Sequence, residues 1–306
     1  MLRQRTIRKP VHAIGIGVHS GDKVRMTLRP AEENSGISFV RTDVKGSSPI
    51  RAIAENVSDT TLSTSLGSVD TQVATVEHLM SALWGLGIDN LIVELSSEEV
   101  PIMDGSAAPF ISMINTVGII EQRALKQFIR VKREITVHQG DATATLVPYL
   151  GFKAAYTFVV DHPVYNRHPK VAELDFCTSS YVDEVSQARS FGLMKELPQA
   201  QAINKMLGSS LDNAVGIDDH QVMNEGGLRY EDEFVKHKLL DAIGDLYLLG
   251  KPILGAFTGY KSGHALNNKL ARALLRCEDA WEMVTFETPA VEEAKPILQP
   301  AALSVS

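Results

Sequence analysis

Two stretches of this chain repeat one plan, and that plan does most to limit how it can fold. Across residues 75–95, Val76, Leu79, Met80, Leu83 and Trp84 recur at helical spacing, Gly85 and Gly87 supply a stop, and 88–95 is apolar enough for a strand. Residues 231–257 run in the same order: a helix through Leu249 with an acidic first turn, a stop at Gly250 and Pro252, and a short apolar strand. The echo predicts an α+β fold of two similar domains, each a sheet layered against helices. Strands come in groups ahead of helices instead of alternating with them, which argues against a parallel doubly wound sheet. The chain's 306 residues suffice for about two domains.

The remaining elements fit that frame. Residues 13–18, 24–28 and 37–40 read as strands separated by Ser20-Gly21-Asp22 and Asn34-Ser35-Gly36. Thr75 is the expected N-cap of the first helix, and a second helix spans 110–118 after the Asp104-Gly105-Ser106 turn. The polar stretch 121–127 marks the expected boundary, giving an N-terminal α+β domain at 1–124 and a C-terminal α+β domain at 125–287. In the second part, 128–138, 142–147 and 153–160 read as strands. Helical pieces are expected at 186–197 and 199–207 around Pro198, and a further helix at 267–275. Pro289, Pro296 and Pro300 predict a flexible tail over 288–306.

Charge and cysteine content narrow the function classes. Lys plus Arg number 30 against 37 Asp plus Glu, a net charge of −7, which argues against nucleic acid as partner. An anionic small ligand would need a local basic cluster against that sign. Only Cys177 and Cys277 are present, so a four-cysteine zinc site is impossible, a disulfide framework is not expected, and a reducing cytoplasm fits. The basic start is followed by apolar residues broken by His12 and His19, which does not read as a secretory signal. No run approaches 18 apolar residues, so no membrane insertion is expected. No apolar surface stripe is evident, and a monomer is expected.

The chemistry concentrates on the two echoed helices. His237 and Asp241 stand four apart, one turn along one face, where an imidazole nitrogen and a carboxylate oxygen can share a divalent metal. Asp245 lies four further on the same face. The spacing alone equally suits a polar stripe turned to solvent, the commoner arrangement. Phe234, Leu239, Ile243 and Leu246 surround that line with apolar surface, however, and a covered carboxylate needs a partner. On the first helix, His78 offers a third ligand and Glu77 a base for water at an open metal position; the bland alternatives are a core histidine and a dipole-complementing acid. His-Glu-x-x-His is absent, which disfavours a peptidase. His264, between a strand and a helix, is placed to reach into a site, with Asp245 able to orient it and hold it protonated, although a turn histidine bonded locally fits the spacing equally well.

Thr75-Val76-Glu77-His78-Leu79, Val235-Lys236-His237-Lys238-Leu239-Leu240-Asp241-Ala242-Ile243-Gly244-Asp245 and Lys261-Ser262-Gly263-His264-Ala265-Leu266-Asn267-Asn268 closely resemble the UDP-3-O-acyl-N-acetylglucosamine deacetylase family, as do 15–20, 101–110 and 228–234. The resemblance runs over about 3–286. It implies a zinc amidase that takes the committed step of lipid A biosynthesis, hydrolysing the acetamide of a UDP-sugar to acetate and a free amine. It implies helices packed face to face between the sheets, with the active site at the domain interface. His78, His237 and Asp241 match the zinc ligands, Glu77 the base, and His264, paired with Asp245, the acid. The carboxylate ligand leaves Fe(II) as a second candidate ion. Ser190 supplies an oxyanion donor, and Lys238 and Lys261 bind substrate as the local basic cluster. The resemblance also implies an acyl-binding insert in the second domain, with an apolar passage for a hydroxyacyl chain at Phe191, Met194 and Leu197 and Val18 facing them; ordinary core packing is the alternative, and suits Leu197 equally well.

Two positions depart from the family's habit. Ser190 stands where threonine is usual, losing the methyl that restricts χ1. Val160 precedes Asp161-His162-Pro163 where an aromatic is common, which removes a stacking surface for uracil. A zinc hydrolase of another amide and a non-enzymatic metal-stabilised binding protein are the competing readings.

Overall fold

The computed structural model describes residues 1–68, 70–176 and 181–286. Cys177 and the tail expected at 288–306 lie outside the described residues. In chain order the elements are β1 (Arg3–Ile7), β2 (Val11–Ile16), β3 (Lys23–Pro30), β4 (Ile37–Arg41), β5 (Ile50–Arg51), β6 (Val57–Asp59), β7 (Ser65–Leu66), α1 (Glu77–Leu86), β8 (Leu91–Leu95) and α2 (Ala108–Val117). They continue as β9 (Ile119–Leu125), β10 (Gln127–Val131), β11 (Ile135–Gln139), β12 (Ala142–Val147), β13 (Phe152–Thr157), β14 (Val171–Asp175), α3 (Tyr181–Glu184), β15 (Phe191–Leu193), α4 (Leu197–Ala202), β16 (Val215–Ile217), α5 (Glu233–Tyr247), β17 (Ile253–Tyr260), α6 (His264–Arg276) and β18 (Trp281–Thr285). The fold is α+β, as expected. Among the described residues no helix is long and apolar enough to cross a membrane.

The sequence echo has a structural counterpart. α1 ends at Gly87, whose φ of +67° carries the left-handed cap that an L side chain resists, and the chain then enters β8. β8 is central in a five-stranded sheet ordered β2-β3-β8-β4-β5, antiparallel to β3 and parallel to β4. α5 is followed by Gly250, with φ +79°, and then by β17. β17 is the hub of a seven-stranded sheet, antiparallel to β12 and parallel to β10 and β13. Each helix therefore delivers the chain to the middle of its sheet.

The two helices also pack on each other, in the most extensive helix–helix contact among the described residues. α5 lies on β13 and β14, α6 on β11 and β12, and α2 on β2 and α1. Val24, Met26 and Val93 of the smaller sheet, Leu79 and Leu83 of α1, Leu239 and Ile243 of α5 and Phe152 and Phe257 of the larger sheet belong to one continuous core. Each such side chain, once fully buried, contributes about 1.5–3 kcal/mol relative to exposure. At the far end of α1, the buried Lys126 donates to the Gly87 carbonyl (2.9 Å) and to Asp89 (2.7 Å), placing a cation where the helix dipole is negative.

Several sequence expectations are corrected. Thr75 does not cap α1: its φ is +58°, Val76 precedes the helix without a side-chain cap, and the Thr75 hydroxyl donates instead to Glu99 Oε1 at 2.8 Å. Gly85 does not stop α1 but lies inside it, where a Cβ would meet the Tyr181 ring at 2.2 Å. Most of the polar stretch 121–127, where the sequence predicts no element, is strand β9, paired antiparallel with β1; this does not bear on the domain boundary expected there. Residues 128–138 form two strands, not one. No helix spans 186–197: the Ser190 amide bonds to the Gly105 carbonyl, and 191–193 becomes β15, parallel to β16. α4 starts at Leu197 with Pro198 in its first turn and stops at Ala202, short of the piece expected through 207; Asn204 and Met206, both at positive φ, follow its end. α6 begins at His264, three residues before the expected start.

Candidate metal centre

α1 presents Glu77 and His78 in its first turn, and α5 presents His237, Asp241 and Asp245 on successive turns of one face. The helices meet with Gly244 against Glu77, which brings the two sets together. His78 Nε2 lies 3.3 Å and His237 Nε2 3.4 Å from the same oxygen, Asp241 Oδ1. One donor atom from each of the three lies within 4.8 Å of the others, and all three residues are buried.

The surroundings prepare these atoms for a cation. His237 Nδ1 donates to the Ala188 carbonyl at 3.0 Å, so the lone pair is on Nε2. Burial pushes the His237 pKa down to about 3, which keeps the ring neutral. Asp241 Oδ1 is buried with no hydrogen-bond partner, while Oδ2 accepts from Lys238 Nζ at 3.0 Å. Burial disfavours the Asp241 charge, yet its basic neighbours, Lys238 among them, hold its pKa well below the usual carboxylate range. A carboxylate oxygen without a well-aligned donor, facing two imidazole nitrogens, is a poor arrangement for a metal-free core and a fitting one for a divalent ion.

A second group of polar side chains adjoins the first. Burial raises the Glu77 pKa; its Oε2 accepts the Thr64 amide at 3.0 Å, and its Oε1 lies 4.0 Å from His264 Nε2. His264 Nδ1 donates to Asp245 Oδ2 at 2.9 Å. Burial opposes the His264 charge, but the Asp245 and Glu77 carboxylates outweigh it and raise the pKa to about 9. Asp245 also accepts from Thr64 Oγ1 (2.6 Å) and Asn267 Nδ2 (2.9 Å). The result is a carboxyl group and a cationic imidazole on adjoining walls, suited to taking one proton and giving another.

The other expected site residues divide. Lys238 joins the cluster through Asp241, with its ammonium 5.6 Å from the centre of the Phe191 ring. Ser190 and Phe191 follow Arg189, whose guanidinium and amide are gripped by the buried Glu233 carboxylate of α5. Phe191 stacks edge-on to His237 at 5.9 Å. Phe191, Met194 and Leu197 line one cavity of about 340 Å³, together with Met206, Leu211 and Val215. Val18 is buried off that wall, its carbonyl bonded to the Gly208 amide. Lys261 pairs with Asp141 on an exposed corner instead of joining Lys238. Val160 is partly exposed. Sequence reasoning missed Thr64, Asn267, Ala188 and the Arg189–Glu233 clamp. The acidic first turn of α5 was the one visible signal for Glu233.

Comparison with known proteins bears on what this geometry does. The family model of UDP-3-O-acyl N-acetylglycosamine deacetylase (LpxC) matches residues 4–276. The UDP-3-O-acyl-N-acetylglucosamine deacetylase of Chromohalobacter salexigens is 58% identical over 287 residues, covering 94% of this chain and 95% of that protein. Proteins of the same name from Marinobacter nauticus and Hahella chejuensis are each 54% identical over 301 residues, covering 97% of this chain and 99% and 100% of theirs.

Proposed function

The chain belongs to the UDP-3-O-acyl N-acetylglycosamine deacetylase family, metal-dependent amide hydrolases of lipid A biosynthesis, and on that premise we propose how its residues divide the reaction. His78, His237 and Asp241 hold a zinc ion; Glu77 is the base, His264 the acid and Asp245 its partner. The observation that carries this reading is the bare Asp241 Oδ1 facing both Nε2 atoms. Two nitrogens and one carboxylate oxygen suit zinc, and Fe(II) is the alternative ion.

When bound, zinc supplies Lewis acidity and lowers the pKa of water toward ~7. Glu77 Oε1 takes a proton from the water that attacks the acetamide carbon; burial, by raising its pKa, matches it better to neutral pH. The developing oxyanion is met by the Ser190 hydroxyl, and a lost donor of this kind costs roughly 2.7–4 kcal/mol. An amide anion is a very poor leaving group, so His264 Nε2 gives its proton to the departing nitrogen as the C–N bond breaks. Acetate and the amine sugar result. Lys238 and Lys261 bind the polar part of the substrate, the latter after exchanging Asp141 for a phosphate. Phe191, Met194 and Leu197 receive the acyl chain, with Val18 behind the Gly208 segment.

The same reading divides the chain into 1–124 and 125–287, with the site where α1 of the first meets α5 of the second. It has the protein act as a monomer on a UDP-sugar in the cytoplasm, where two cysteines in 306 residues are unremarkable. Acetate release from UDP-3-O-acyl-N-acetylglucosamine should far exceed that from N-acetylated peptides. Equal rates would favour a hydrolase of another amide, and no release from either would favour a binding protein.

A further inference from the structure

Thr64 stands outside every helix that carries the proposed chemistry, yet it touches two of them. It is 1% exposed and lies just before β7. Its amide donates to Glu77 Oε2 on α1 at 3.0 Å, and its hydroxyl donates to Asp245 Oδ1 on α5 at 2.6 Å. Its carbonyl accepts the Val76 amide at 3.2 Å, which pins the same segment to the start of α1.

In each carboxylate, Thr64 occupies the oxygen that the proton transfer does not use. Glu77 keeps Oε1 toward His264 Nε2, and Asp245 keeps Oδ2 for His264 Nδ1. The terminal torsion of a carboxylate is broad, so an unheld group would rotate and share its oxygens between tasks. A buried carboxylate oxygen left without a donor is also costly. The flanking Ser63 and Ser65 hydroxyls are buried with no partner, so the polar character of the segment does not by itself create these bonds. Threonine's branched Cβ adds stiffness at χ1, which holds the hydroxyl on Asp245.

We propose that Thr64 is a positioning residue that fixes the general base and the orienter of the general acid at one spacing. The inference rests on the roles given above to Glu77, His264 and Asp245. It predicts a loss in turnover rather than in binding, because neither Thr64 bond faces the lysines or the cavity.

The test is steady-state kinetics and metal content of the holoenzyme bearing Thr64→Val, which keeps shape and amide but loses the hydroxyl. We expect kcat to fall about 10- to 100-fold, the scale of a small misplacement of catalytic groups, with KM and metal content unchanged. Thr64→Ser should restore most of the rate. In an Asp245→Asn background, Thr64→Val should cost less than about threefold more, since the carboxylate it acts through is gone. If Thr64→Val does not yield folded protein, Thr64→Ala carries the same expectations. Unchanged kcat, a matching fall in metal content, or full additivity with Asp245→Asn would overturn the proposal. Glu77→Gln in parallel separates the two failures: if that variant retains turnover, the assignment of the base is wrong, whatever Thr64 does.

Discussion

Gly244 of α5 lies so close to Glu77 of α1 that a Cβ at 244 would sit 2.0 Å from the Glu77 carbonyl oxygen. This contact sets how near the helix bearing His237 and Asp241 comes to the helix bearing His78. A methyl group there has no flexible neighbour to displace, because it meets backbone. Gly244→Ala should therefore destabilise by about 1–3 kcal/mol. It should also lower metal affinity, since the ligands from the two helices move apart. Chemical denaturation with metal titration checks both, and a variant matching wild type in each would remove the helix contact from the account.

Glu77→Gln keeps the shape of the side chain and removes its capacity to accept a proton. Turnover should fall roughly 10²- to 10⁴-fold, the usual contribution of a positioned base. Metal content should stay at the wild-type level, because the proposed ligand atoms belong to His78, His237 and Asp241. Kinetics and elemental analysis of one preparation decide this.

The pH dependence follows from His264. Its pKa is raised to about 9, so the acid form is present below that value and lost above it. The high-pH limb of kcat should thus fall near 9, or lower once a bound cation adds its repulsion. Asp245→Asn removes the main charge that raises this pKa and should move the limb to lower pH; an unmoved limb would count against the pairing. Stability carries the same sign: a folded pKa above the unfolded ~6.5 gives a contribution that is complete below 6.5 and disappears as pH rises through 9.

The cavity lined by Phe191, Met194 and Leu197 should set acyl length. Ala200 also lines it, and Ala200→Phe would fill part of its volume of about 340 Å³. Each methylene denied burial costs about 0.8 kcal/mol, close to fourfold in kcat/KM. Rates with long-chain substrates should fall accordingly while those with short chains hold. An equal loss at every length would place the acyl chain elsewhere.

Much of the site was legible because two helices carry it. The i, i+4 step from His237 to Asp241 to Asp245 survives as one face, and the repeated helix–glycine–strand order marked the two elements that pack together. What was hidden depends on tertiary partners. Thr75 reads as a cap by its type, but its hydroxyl is claimed by Glu99 from a distant loop. Residues 186–197 read as helix, but the Ser190 amide and carbonyl are taken by Gly105 and Gly216's neighbour Val215. Thr64 is one of many threonines until α1 and α5 converge on it. Lys261 matches a family motif, yet here it turns to Asp141.

On the proposed reading, catalysis requires an ion held by His78, His237 and Asp241. The most direct measurement is acetate release from UDP-3-O-acyl-N-acetylglucosamine by protein stripped with a chelator, before and after zinc is restored. Stripped protein should be inactive and about one zinc per chain should restore the rate, with His237→Ala failing to recover under the same conditions. Full turnover by the stripped protein would contradict it.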